Sequence, residues 1–141
     1  MKSPLWKTTT LALLVTLCPL ANAADHPDPA LSPAQSAVIS RQIATLKSST
    51  DRNVAQSWSN TKKVAELICR PEALPVLKEQ TKGADRVFLG TDAPQSLTLE
   101  SSRRLTGSGE VRTPQGWKDF TFTCNLNPAT GKVIGFKTVP K

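Results

Sequence analysis

Apolar positions recur at helical spacing up to about residue 80 and at every second position from residue 85 onward. Ser32-Pro33 offers a helix start, with Ser as N-cap, Pro at the first helical position and Gln35 where a capping box requires it. Ile39, Ile43 and Leu46 follow at i, i+4 and i+7 and form one apolar stripe. Ser48-Ser49-Thr50-Asp51 weakens or ends that helix. A second helix beginning near Asp51 would extend the stripe through Val54 and Trp58. The next helical stretch starts at Asn60 or Thr61 and buries Val64, Leu67 and Ile68, with Cys69 beside that stripe at its end. Arg70-Pro71 is expected to stop it, because proline disfavours the helical conformation of the residue before it. A short further helix from Pro71 to about Gln80 sets Leu74 and Leu77 together. Pro75 falls near its first turn, where a missing N–H does least damage, and Lys82-Gly83 is the exit.

The strand half is more regular. Arg86–Leu89 ends at Gly90, and Ser96–Glu100 alternates Leu97 and Leu99 with polar residues. Leu105–Val111 continues the alternation with Gly107 and Gly109 on the face of its apolar residues. Two glycines there indicate close approach of another element, or a bulge. After a turn at Thr113–Gly116, Phe120, Phe122, Cys124 and Leu126 share one strand face. Asn127–Gly131 is a hairpin turn, and Lys132–Val139 is the last strand. Helices over about 32–80 and strands over about 85–139 predict an α+β domain. Its N-terminal helices pack on one face of a four- to five-stranded antiparallel sheet.

Residues 1–23 lie outside that domain. Lys2 and Lys7 precede the apolar run Leu11–Leu17, and Ala21-Asn22-Ala23 supplies small residues at a cleavage site, which predicts a signal peptide. The run is far short of the roughly 20 residues needed to span a bilayer. Leu17 ahead of Cys18 argues against lipoprotein processing, and no second apolar stretch is long enough to span. The mature protein is then expected in the periplasm or secreted, without a transmembrane segment. Residues 24–31 carry two prolines and two aspartates and read as a flexible N-terminal arm, followed by a single domain over 32–141.

Composition changes meaning once the signal is subtracted. The chain has 141 residues and a net charge of +7. Taking away residues 1–23, with two of the 18 basic residues and no acidic one, leaves 118 residues with 16 basic against 11 acidic, a net +5. Of three cysteines, Cys69 and Cys124 remain. Two distant cysteines in an oxidising compartment read as a structural disulfide, here tying the helical half to the sheet half. A reactive thiol pair or a metal site is the alternative, but neither cysteine has a CxxC partner or a nearby His.

Ile68-Cys69-Arg70-Pro71, Ala84–Gly90, Gly116–Cys124 and Pro128–Val133 together resemble a family of small exported proteobacterial proteins of unknown function. Its members have a helical first part and a C-terminal W-x-x-F-x-F-x-C strand. The resemblance covers roughly residues 64–138. It implies export and the cysteine pair, and it carries over no activity and no catalytic residue.

Candidate chemistry is sparse. The single His, His26, sits in the arm, where nothing holds it beside a nucleophile. Glu100, Glu110 and Asp119 have basic neighbours and read as cross-strand ion pairs rather than paired acid and base. No P-loop, GxGxxG, HExxH or Gly-x-Ser-x-Gly pattern occurs, and Gly107-Ser108-Gly109 lacks a phosphate-binding surround. A small periplasmic enzyme remains one alternative. Cleavage after Ala23 makes a second, since Ala24-Asp25-His26 could then bind Cu(II) or Ni(II) through the α-amine, two amide nitrogens and the imidazole. The basic residues could favour an anionic surface component, yet only Lys62-Lys63 and Arg103-Arg104 are adjacent. Nucleic acid is therefore not the expected partner. The leading expectation is a monomeric, non-catalytic binding or inhibitory module for an envelope protein, with Trp58, Trp117, Arg103 and Arg104 as its candidate partner surface.

Overall fold

The computed structural model describes residues 28–141. The expected signal peptide and Ala24, Asp25 and His26 lie outside the described residues. Helix α1 (Pro33–Thr45) starts with the capping box that Ser32 and Gln35 predict. Gln35 does more than cap. Fully buried, it donates through Nε2 to the Ser102 carbonyl at 2.6 Å, which ties the helix start to a strand turn. Its apolar stripe buries Ile39 and Ile43.

Helix α2 (Ser49–Ser57) begins two residues before Asp51, because the Ser48 hydroxyl accepts from the N–H of Thr50 and Asp51. Val54 does not extend the stripe: it is 49% exposed, and Ala55 is the residue of this helix that reaches the core. Trp58 closes the helix and packs half-buried against the core.

Arg70-Pro71 does not stop the third helix. Helix α3 (Asn60–Val64), a π-helical turn (Ala65–Cys69) and helix α4 (Arg70–Gln80) form one continuous run. Proline inside an α-helix loses a hydrogen bond and presses its ring against the carbonyl four residues back. Here Arg70 donates instead to the Ala65 carbonyl, five residues back, and Pro71 enters a fresh first turn. The wider turn also aligns a stripe. Ala65, Cys69, Ala73 and Leu77 are all buried at spacings of four residues. In an uninterrupted α-helix that spacing drifts by about 40° per step. The π turn takes up part of this drift and keeps the four residues against the sheet.

Part of the expected arm is docked. The Asp28 carboxylate accepts from the N–H of Asn60 and Thr61 and from the Thr61 hydroxyl, and Leu31 packs on the core.

The sheet has five antiparallel strands. These are β1 (Arg86–Leu89), β2 (Leu97–Glu100), β3 (Arg104–Thr113), β4 (Gly116–Asn127) and β5 (Lys132–Pro140). The order is β1-β3-β4-β5, and β2 also pairs with β3, so β1 and β2 share one edge of β3 in succession. Gly107 and Gly109 lie at that handover. A Cβ on Gly107 would stand 2.2 Å from the Ser96 carbonyl oxygen, and one on Gly109 would stand 2.6 Å from the Phe88 carbonyl oxygen. Close approach, rather than a bulge, explains them; the register break is between Asn125 and Leu126.

Helices cover one face of this sheet, as expected of the α+β class. Val87, Leu89, Leu105, Val111, Phe120, Phe122, Cys124 and Leu126 meet the helical stripes there. Cys69 and Cys124 are disulfide-bonded across that seam, with Cα atoms 6.2 Å apart, and both are fully buried. The start of α1 also rests on the β4–β5 hairpin. Gly131 has φ +71, and a Cβ there would meet the Ala34 carbonyl at 2.8 Å. Gly131→Ala combines left-handed backbone strain with this clash and is expected to cost about 2 kcal/mol. Chemical denaturation measures it, and unchanged stability would mean that α1 is not seated on the hairpin.

Candidate functional site

The continuous helix places Lys62, Glu66 and Arg70 on one face at successive four-residue steps. Glu66 accepts from Lys62 Nζ at 2.8 Å and from Arg70 Nη1 at 2.5 Å, with its side chain only 9% exposed. Both cations also cover aromatic rings. Lys62 Nζ lies 5.8 Å from the Trp58 ring centroid, and the Arg70 guanidinium lies 5.9 Å from that of Phe88.

Phe88 comes from the outward-facing side of β1, since Val87 and Leu89 on either side of it point to the core. It stacks on Trp117 of β4, with centroids 5.4 Å apart and planes 24° apart. A continuous strip therefore runs Trp58–Lys62–Glu66–Arg70–Phe88–Trp117. Phe88 and Trp117 stay 39% and 46% exposed. Large exposed aromatics in contact with each other are the part of this surface suited to a partner.

The register that joins the two rings is held by an ion pair at the start of β1. Arg112 donates through Nε and Nη2 to the two oxygens of Asp85, both at 2.8 Å, and Arg112 is the cross-strand neighbour of Trp117. The hydrogen bond from Arg112 holds the Asp85 carboxyl below the usual carboxylate range against an opposing desolvation, aided by the nearby charges of Arg112 and Arg86. The same contact raises the Arg112 value.

Grooves flank Glu66 on both sides. One, of about 630 Å³, runs past Lys62, Phe88, Gly90 and Leu97. The other, also about 630 Å³, lies between α4 and β1.

The residues expected to form one partner surface are separated. Trp58 and Trp117 end the same strip. Arg104 starts β3 at its other end, eight residues from Arg112, which is roughly 26 Å of extended chain, and Arg103 precedes it in the turn. Arg104 pairs with Glu100 at 3.4 Å, and both are more than half exposed. Residues not singled out from the sequence complete the strip: Glu66, Arg70 and Phe88. The 62/66/70 spacing was a usable signal for the first two, and the outward phase of Phe88 was a usable signal for the third.

Among the described residues no group of three or more His, Cys, Asp or Glu side chains could hold a metal ion, and no helix is long and apolar enough to cross a membrane. The fold and surface define a small disulfide-tied α+β domain with an aromatic and cationic strip at one sheet edge. No protein-family model, curated protein or solved structure matches the chain.

Asp85 provides a test of the ion pair beneath the strip. A carboxyl held low in the folded state stabilises it above the unfolded value, and that contribution is lost as pH falls through the lowered value. An NMR titration is expected to place the Asp85 midpoint below the usual carboxylate range, and to move it upward in Arg112→Gln. Equal midpoints in the two proteins would contradict the pairing.

Proposed function

We propose that the protein is an exported, non-catalytic binding or inhibitory module of the cell envelope, and that it grips a protein partner through the Phe88–Trp117 face. The observation that carries this reading is the stacked, partly exposed aromatic pair beside Arg70. Aromatic and arginine side chains of this kind are the usual anchors of protein interfaces, the rings because they bury large areas with few rotatable bonds and arginine because its planar fork both stacks and donates hydrogen bonds. The pair sits on strands and not on a loop, so the rings are already in place before a partner arrives.

Export is supported by the charged start, the apolar run and the small-residue site of residues 1–23. The Cys69–Cys124 bond fits an oxidising compartment. The resemblance to small exported proteobacterial proteins points the same way.

Tagged protein beginning at Ala24, crosslinked in an envelope extract, is expected to recover a defined partner. Trp117→Ala should weaken that interaction by about 30-fold, the size of a hot-spot residue. Because Trp117 is half exposed, its melting temperature should change little. Equal recovery by wild type, Trp117→Ala and Phe88→Ala would exclude this face as the binding surface.

A further inference from the structure

Strand β5 ends the sheet on the side away from β1 and pairs with β4 alone among the described strands. The register sets Lys132, Lys137 and Val139 opposite Asn127, Thr123 and Thr121. Those β4 residues alternate with the buried Phe122, Cys124 and Leu126. Lys132, Lys137 and Val139 therefore lie on the sheet face that the helices leave open. Ile134 is the extra residue of the register break. Gly135 stands opposite Asn125 and Val133 opposite Leu126, and no β4 residue faces Ile134.

Ile134 is 70% exposed and Val139 63%, the two highest values among the large apolar side chains of the described residues. Lys132 and Lys137 on the same strand are exposed, and β5 carries no acidic residue. Neither lysine forms an ion pair among the described residues. The outward positions of β4 beside them, Thr121 to Asn127, are uncharged. Next along the sheet, Arg104 stands opposite Asn125, and the Arg103 carbonyl accepts from the Leu126 N–H at 2.8 Å. Both arginines thus lie at the Lys132 end of the sheet. The carboxylate paired there is Glu100, 3.4 Å from Arg104, whereas Glu110 and Asp119 lie toward the other end of β3 and β4. Lys132, Lys137, Arg103 and Arg104 against Glu100 leave this corner with a net charge of +3. Lysine on an edge strand discourages pairing with another chain. That role does not call for the two most exposed aliphatic side chains on the same strand.

We propose that this corner docks on the surface of an anionic lipid bilayer. Ile134 and Val139 enter the headgroup layer, and Lys132, Lys137, Arg103 and Arg104 meet the lipid phosphates. The cations attract the surface within a Debye length, and the aliphatic side chains add a contact that salt does not screen. The proposal rests on the envelope location in the reading above and not on its protein partner. It gives the basic charge of the chain a use.

The probe is a vesicle of phosphatidylglycerol and phosphatidylethanolamine, sedimented with the oxidised protein beginning at Ala24, and compared with a phosphatidylcholine vesicle. Binding is expected on the anionic vesicle and not on the neutral one. At about fivefold per lysine, the Lys132→Gln/Lys137→Gln double variant should bind roughly 25-fold more weakly. Ile134→Ser should lose about tenfold. All three changes are at exposed positions. The Arg41→Gln/Lys47→Gln double variant removes the same charge from the helical side, and its binding should stay within about twofold of wild type.

Equal losses in the two double variants would overturn the proposal, because net charge alone would then explain the binding. Equal binding to anionic and neutral vesicles would also overturn it, as would glycerol phosphate in solution binding as tightly as the vesicle. A dimer that forms without vesicles and is lost in Ile134→Ser would assign the strand to a second copy instead. If the vesicles fail in these ways while Trp117→Ala still weakens partner capture, the membrane contact falls and the binding-module reading stands.

Discussion

The helical layer and the sheet are joined by one covalent bond at their seam, and much of the geometry on both sides answers to it. Cys124 lies mid-strand in β4, opposite Leu105 on one side and Phe136 on the other. Cys69 ends the π turn of the long helical run. Bringing Cys69 under β4 requires the stripe Ala65, Cys69, Ala73 and Leu77 to stay in line, which the π turn permits. The bond closes a loop of 55 residues. On the chain-entropy account, a loop of that length contributes about 4 kcal/mol. For a domain of this size, that is a large share of the net stability expected.

The functional strip is a consequence of the same helix. Had the chain broken at Arg70-Pro71, Arg70 would not follow Glu66 on the same face, and Phe88 would lack the cation beside it. The salt-bridged Glu66 has little free capacity of its own, since Lys62 and Arg70 occupy both its oxygens. Its role is to hold two cations in position over two aromatic rings. Exposed ion pairs contribute little individually, and the value of this arrangement is positional.

Much of the architecture was legible from the residues. Ser32 and Gln35 announced the first helix, alternation from Arg86 to Val139 announced the sheet, and the two cysteines announced their own pairing. Gly107 and Gly109 marked a close approach or a bulge, and the neighbouring carbonyls decide for the first. What stayed hidden was non-local or rested on a register change. A proline rule applied to Arg70-Pro71 cannot anticipate that a π turn will absorb the ring, and Val54 fell on the wrong side of a helix whose start was misplaced by two residues. Asp28 looked like part of a free arm because its partners, Asn60 and Thr61, are more than 30 residues away. The surface was only half visible for the same reason. Trp117 was singled out, but Phe88 and Arg70 join it only after β1, β4 and α4 have come together.

The Cys69–Cys124 bond is expected to make helices and sheet open as one unit. Native-state hydrogen exchange on the oxidised and the reduced protein tests it most directly. In the oxidised protein, core amides of the 60–80 helical run and of β4 should exchange with the same opening free energy. After reduction, the helical amides should exchange through a lower-energy opening that leaves β3 and β4 protected. Identical opening energies in both layers before and after reduction would show that the bond does not couple them.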